Sequence, residues 1–207
     1  MNTMDLLQIG QKLSINIYKN DKLIEIIGKI SDILDDRIDV ELPPYFMRYI
    51  ECMDVGKHLT VKVFSKFGTI DFNTVVITSP LEDVFSIELD YNAMKFIPGE
   101  EMPIVDAIEK LNITINNEII SANTLELSTE FIKLYCDKPL EVDENFDCEL
   151  ILPNDYGIIN FKATVIYKDN IYDNEYKVSY YNMSENDRQT LLYYMYVYIK
   201  NYNQEES

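Results

Sequence analysis

Apolar and polar residues alternate along most of this chain. LSINIYK (13–19), RIDVEL (37–42), LTVKVFS (59–65) and FSIELD (85–90) put branched or aromatic side chains at every second position. A period of two in such residues predicts half-buried strands. Turn-forming clusters separate them: KND at 19–21, DD at 35–36 and SKFG at 65–68. The second half reads the same way in LNITIN (111–116), NTLELS (123–128), FIKLYC (131–136), DCELIL (147–152) and EYKVSYY (175–181). The expected fold class is all-β. Two antiparallel barrels suit the pattern, because closure hides the edges that an open sheet exposes.

The halves also align with each other. Gly68 opens GTIDFNTVVIT, and Gly157 opens GIINFKATVIY 89 positions later. Val61 and Val63 match Leu150 and Leu152 at the same offset. Either the fold repeats, or two similar hairpins resemble each other by chance. The boundary is expected in FIPGEEMP (96–103), where prolines and a glycine break strand pairing. That gives a first barrel at 1–97, a linker at 98–109 and a second barrel with a terminal helix at 110–207. PPYFMRYIECM (43–53) interrupts the first half. Its prolines end a strand, and its remainder is expected to plug one end of the barrel as a short helix or aromatic loop, with partner binding as the other reading.

MSENDRQTLLYYMYVYIK (183–200) abandons the alternation and predicts a helix over 184–202. Ser184 fits the N-cap, and Asp187 three residues on completes a capping box. Wound at 3.6 residues per turn, Leu191, Met195, Tyr198 and Tyr202 share a face, flanked by Leu192 and Ile199. Tyr193, Tyr196 and Val197 point the other way, beside Gln189 and Lys200. That second face either lies against the first barrel or is an interaction surface for another protein.

Composition narrows the partners. The chain has 207 residues and a formal charge of −18, from 18 basic and 36 acidic side chains. Such a surface repels phosphate backbones and anionic lipid heads, which excludes nucleic acid as a partner class. No apolar run is long enough to span a bilayer, and the start lacks the basic and apolar regions of a secretory signal. Cys52, Cys136 and Cys148 form an odd, widely spaced set, read as reduced thiols in a cytoplasmic protein. A Cys136–Cys148 bridge is conceivable if their strands are neighbours. His58 is the sole histidine and no metal or nucleophile motif occurs, so no catalytic residue, metal or cofactor is assigned.

Met183, Ser184, Asp187, Arg188, Leu191 and Tyr194 follow the last strand in an order that resembles the PilZ family. LLQIGQKLSINI, GKISDI and FGTIDFNTVVITSP resemble the N-terminal split barrel that precedes PilZ in YcgR-type flagellar brake proteins. The resemblance implies cyclic di-GMP binding through an Arg-x-x-x-Arg pair and an Asp/Asn-x-Ser-x-x-Gly turn. Guanidinium supplies a fixed fork of donors for phosphate and a flat cation for stacking on a base. Here the first motif falls on Asp106 and Lys110, and the second on Glu126, Ser128 and Phe131. Only the serine is retained. The three arginines, Arg37, Arg48 and Arg188, leave none between 49 and 187. The expectation is a non-enzymatic adaptor acting by protein contact in flagellar or surface-motility control, without the usual cyclic di-GMP mode. The alternative is a sensor that holds cyclic di-GMP or another nucleotide at an altered site, with Lys110 and Ser128 as remnants.

Overall fold

The computed structural model describes residues 7–100, 102, 104–169, 171, 172 and 174–205. The side chains of Lys200 and Tyr202 lie outside the described part, as do Glu101 and Pro103 in the expected linker. The chain divides into two compact units, Asn2–Glu101 and Met102–Ser207.

The first unit holds β1 (Lys12–Lys19), β2 (Lys22–Ile33), β3 (Arg37–Glu41), β4 (His58–Ser65), β5 (Gly68–Thr78), β6 (Ser86–Glu88) and β7 (Lys95–Pro98). Pairing runs β1-β2-β3-β6-β5-β4, and β4 returns to β1, which closes an antiparallel barrel. β7 adds alongside the start of β5. The second unit holds β8 (Val105–Asp106), β9 (Lys110–Ile115), β10 (Glu118–Leu127), β11 (Phe131–Cys136), β12 (Asn145–Ile151), β13 (Ile158–Lys168), β14 (Glu175–Tyr181) and α1 (Glu185–Glu205). Its barrel runs β9-β10-β11-β14-β13-β12 and returns to β9, with β8 beside the end of β10.

Strand for strand, the two barrels have one order. Each opens with a hairpin whose two loop residues both have positive φ: Asn20 and Asp21 (51° and 58°), and Asn116 and Asn117 (51° and 66°). Such loops match the right-handed twist of the strands they join, and Asn and Asp tolerate that conformation. The pairing slips between Val76 and Thr78 in β5 and between Val165 and Tyr167 in β13. Those positions keep the 89-residue offset of the two opening glycines. The likeness read in the sequence is therefore one of whole barrels.

Inward residues supply the cores. Leu13, Ile15, Val61 and Val63 are fully buried in the first barrel, as are Leu134, Leu150, Val165 and Val178 in the second. Each such side chain contributes about 1.5–3 kcal/mol on leaving water. β2 broke the period-two rule because apolar neighbours stand side by side. Ile26 is buried and Ile27 next to it is exposed.

Three expectations are corrected. PPYFMRYIECM forms a 3-10 helix at Pro44–Cys52, but none of its residues is buried, so it does not plug the barrel. Met53 alone, just past its end, enters the core. The helix rests on the β1–β2 hairpin through the Lys19 ammonium, which donates to the Arg48 carbonyl and pairs with Glu51. Second, Cys136 on β11 and Cys148 on β12 are not on neighbouring strands. Two strands separate them either way round the barrel, and both thiols are free and buried.

The third correction concerns α1. Ser184 Oγ accepts the Asp187 N–H at 3.0 Å, so the cap is where the sequence put it. Of the two readings of the second face, an exposed interaction surface does not hold at Tyr193 and Tyr196. Leu191 through Tyr196 are buried without interruption, with Tyr193 and Tyr196 each only 5% exposed. Six consecutive positions exceed one helical turn, so this stretch is enclosed on every side. Tyrosine suits such a place because its ring is apolar and only its hydroxyl needs a partner. Val197 is half-buried.

Candidate ligand face of the second barrel

Four of the five positions singled out by the sequence, Asp106, Glu126, Ser128 and Phe131, lie near one corner of the second barrel. β8 lies antiparallel to the end of β10, with Val105 opposite Leu127 and Asp106 opposite Glu126. Glu126 also faces Lys133 on β11, and Lys133 faces Lys177 on β14. One outward row therefore crosses four strands as Asp106, Glu126, Lys133 and Lys177. Cross-strand partners on one face sit about 4.5–5.5 Å apart at Cβ, where facing like charges are destabilising.

Both lysines of the row are committed. Lys133 Nζ lies 2.8 Å from Glu175 Oε2. That bond, with the nearby Glu126 charge among the smaller causes, holds the Lys133 ammonium above its ordinary pKa. Lys177 Nζ stands 3.5 Å from the centroid of the Phe131 ring, a cation–π contact. Lys133 is thus tied to a carboxylate on the next strand, while Lys177 keeps its charge and rests on an aromatic face.

Ser128 and Phe131 share one turn. Ser128 Oγ accepts the N–H groups of Phe131 at 2.9 Å and Glu130 at 3.2 Å, and donates to the Phe131 carbonyl at 3.0 Å. The Tyr180 hydroxyl donates to the Ser128 carbonyl at 3.1 Å. Burial pushes the Tyr180 phenol up to about 12. The retained serine is therefore occupied as a staple of its own turn. Lys110 stands apart from these residues. It opens β9, pairs in register with Asn123 and Ile151, and is exposed.

The segment joining Asp106 to Lys110 is bolted down. Thr124, fully buried at the irregularity in β10, donates to the Ala107 carbonyl at 2.6 Å and accepts the Glu109 N–H at 2.9 Å. Tyr194 of α1 donates to Glu109 Oε1. Burial first, then that carboxylate, drives the Tyr194 phenol far above its usual range. The Tyr156 ring packs edge-on against Tyr194 with centroids 5.4 Å apart.

The sequence reading missed Thr124, Glu109, Lys133 and Lys177. The alternation in FIKLYC and EYKVSYY does place Lys133 and Lys177 outward, so pairing β11 with β14 would have brought them together. The Thr124 clasp depends on the slip in β10 and leaves no such trace.

Residues 105–197, from β8 into α1, match the sequence profile of the PilZ domain. The second barrel is a PilZ domain. A search of the curated proteins gives no match. Among solved structures, the chain is similar to the Bacillus subtilis inhibitor of motility MotI/DgrA at 17% identity, covering 94% of this chain and 98% of that one, with a TM-score of 0.42. It is also similar to YcgR from Escherichia coli in complex with c-di-GMP, at 12% identity over 94% and 87% with a TM-score of 0.45. A third is the Borreliella burgdorferi PlzA protein in complex with c-di-GMP, at 7% identity over 94% and 91% with a TM-score of 0.38. Among the described residues, no group of three or more His, Cys, Asp or Glu could hold a metal ion. No helix among them is long and apolar enough to cross a membrane.

Proposed function

We propose that this protein is a non-enzymatic regulatory adaptor of the PilZ type, cytoplasmic and acting through contact with another protein. We further propose that its PilZ domain does not hold cyclic di-GMP in the usual mode. The observation that carries this reading is the register of β8 on β10, which sets the Asp106 carboxylate opposite that of Glu126. These are two of the positions where the family resemblance calls for ligand-binding groups, the first of them a guanidinium. Two like charges about 4 Å apart repel by about 1 kcal/mol even in bulk water. Each missing charge-assisted bond to phosphate forgoes a further ~1.5–3 kcal/mol. Every ~1.4 kcal/mol is tenfold in affinity, so a few such losses move a micromolar ligand out of reach. Motility control is the setting the sequence resemblance implies, and it belongs to the same proposal.

The test is a calorimetric titration of the intact chain with cyclic di-GMP. No saturable heat at micromolar concentrations is expected. Saturation there would overturn the reading and favour the sensor alternative, with Lys110 and Ser128 as the first positions to substitute. Tyr193 and Tyr196 no longer serve as probes of a contact surface, because replacing either opens a cavity in the packing of α1.

A further inference from the structure

The first barrel carries an open cleft of about 540 Å³ that none of the above uses. Its floor is a cross-strand row of polar side chains. Asn16 on β1 faces Thr60 on β4, and Thr60 faces Asn73 on β5. Thr60 Oγ1 donates to Asn73 Oδ1 at 3.0 Å. Asn16 has no hydrogen bond from its side chain among the described residues. His58 and Lys57 line the cleft beside this row, and neither has a polar partner among the described residues. Glu51 and Cys52, at the end of the 3-10 helix, form the wall, and the exposed ring of Tyr18 stands at the rim.

The second barrel carries the corresponding row with a different pairing. There Asn112 on β9 faces Glu149 on β12, and Glu149 faces Asn160 on β13. Asn112 Nδ2 donates to Glu149 Oε2 at 3.2 Å, so here the first-strand amide is paired, and Asn160 is the member with no side-chain hydrogen bond among the described residues. The connection that builds the wall also differs. In the first barrel, 42–57 joins β3 to β4 and carries the 3-10 helix, whereas the shorter 137–144 joins β11 to β12. The first barrel thus has an unpaired amide on the floor and an added wall above it.

The charges in the cleft indicate what fits. Glu51 is held by Lys19, which leaves the Lys57 ammonium as the uncompensated charge of the lining. That is a local reversal of sign in a chain of net charge −18. Amide, hydroxyl and imidazole groups donate and accept, which suits hydroxyls, and the flat Tyr18 ring suits the C–H face of a small ring. The volume lies in the ordinary range for small-molecule sites. We propose that this cleft binds a small hydroxyl-bearing molecule carrying one anionic group, a phosphate or a carboxylate, with Lys57 meeting the anion and Asn16 and His58 meeting hydroxyls. The proposal is independent of whether the PilZ domain takes cyclic di-GMP.

Cys52 supplies the readout, because it lines the cleft while Cys136 and Cys148 are buried. Alkylation of Cys52 by iodoacetamide in the intact chain would be followed with glucose 6-phosphate, gluconate and uncharged glucose at millimolar concentrations. Either anion is expected to slow labelling saturably, by about tenfold at ten times its Kd. Which of the two protects identifies the anion. Lys57→Ala should abolish protection while leaving the melting temperature unchanged, since Lys57 is exposed and unpaired. Asn112→Ala, in the second barrel, should leave protection intact. No protection by either anion, equal protection by glucose, or full protection in Lys57→Ala would each overturn the proposal.

Discussion

The two barrels are built on one plan and stabilised at different points. Both begin with a two-residue Asn/Asp loop, both slip register at positions 89 apart, and both bring a glycine to the start of the fifth strand. Yet Gly68 is packed under β7, while Gly157 faces open space. The first barrel adds a long β3–β4 connection on its outside. The second adds α1 and a threonine clasp. A shared strand order therefore does not mean shared dependence on the residues that repeat.

Gly68 tests that difference most severely. A Cβ placed there would lie 2.2 Å from the Ile97 carbonyl oxygen and 2.9 Å from the Gly99 nitrogen. Both are backbone atoms, so β7 must leave β5 to make room. Gly157, at φ +81°, has nothing within 4 Å of the same atom, so alanine there meets only the strain of a backbone region that disfavours it. Gly68→Ala is expected to cost about 3 kcal/mol or more, the level of severe steric mutations. Gly157→Ala should cost about 1–2 kcal/mol. Chemical denaturation of the two variants decides between this and equal costs, which would mean that β7 yields freely.

The buried threonines give the next largest contrast. Thr124 Oγ1 serves two backbone groups, the Ala107 carbonyl and the Glu109 N–H. Thr74 Oγ1, in the first barrel, makes one short bond, to the Glu88 carbonyl at 2.6 Å. Valine keeps the shape and removes the hydroxyl, stranding each former partner at about 1–3 kcal/mol apiece. Thr124→Val should therefore lose about twice what Thr74→Val loses, roughly 2–6 against 1–3 kcal/mol by that reckoning. Equal losses in urea titrations would show that the segment from Asp106 to Lys110 finds other partners.

What could be read from the chain followed from periodicity. Where one face is buried and the other wet, as in β1 or β12, alternation reveals the strand directly. β2 escaped because its outward face carries apolar side chains, with Leu23 and Ile27 outward and Ile26 inward. The helix cap was visible because Ser184 acts on its own neighbours. The sequence left burial and exposure of Tyr193 and Tyr196 as alternatives, since their phenol rings suit a core and a surface equally. The same limit governs the candidate face. The lack of arginine near Asp106 is plain in one dimension. The pairing of Asp106 with Glu126, and of Lys133 with Glu175, exists only once register is fixed.

The smallest and most graded contrast is in alkali. The second barrel carries Tyr194, Tyr180 and Cys148, all raised by burial, with Tyr194 also raised by its bond to Glu109. Among the described residues of the first barrel, one such group stands out, Tyr91, raised by burial and by Asp35. A phenol whose folded pKa lies above its unfolded value stabilises the fold fully below the unfolded pKa, which is 10.0 for tyrosine. Above it the unfolded chain ionises first, and the contribution falls by about 1.4 kcal/mol per pH unit for each such group until the folded pKa is passed. The second barrel should thus lose stability faster than the first as pH rises from about 10 towards 12, and Tyr194→Phe should flatten its decline, because Phe cannot ionise in the unfolded chain. Tyrosinate absorbance followed alongside strand circular dichroism resolves the order. If ionisation and unfolding of the two barrels coincide, or if Tyr194→Phe leaves the slope as it was, the buried phenols of the second barrel are not what sets its alkaline limit.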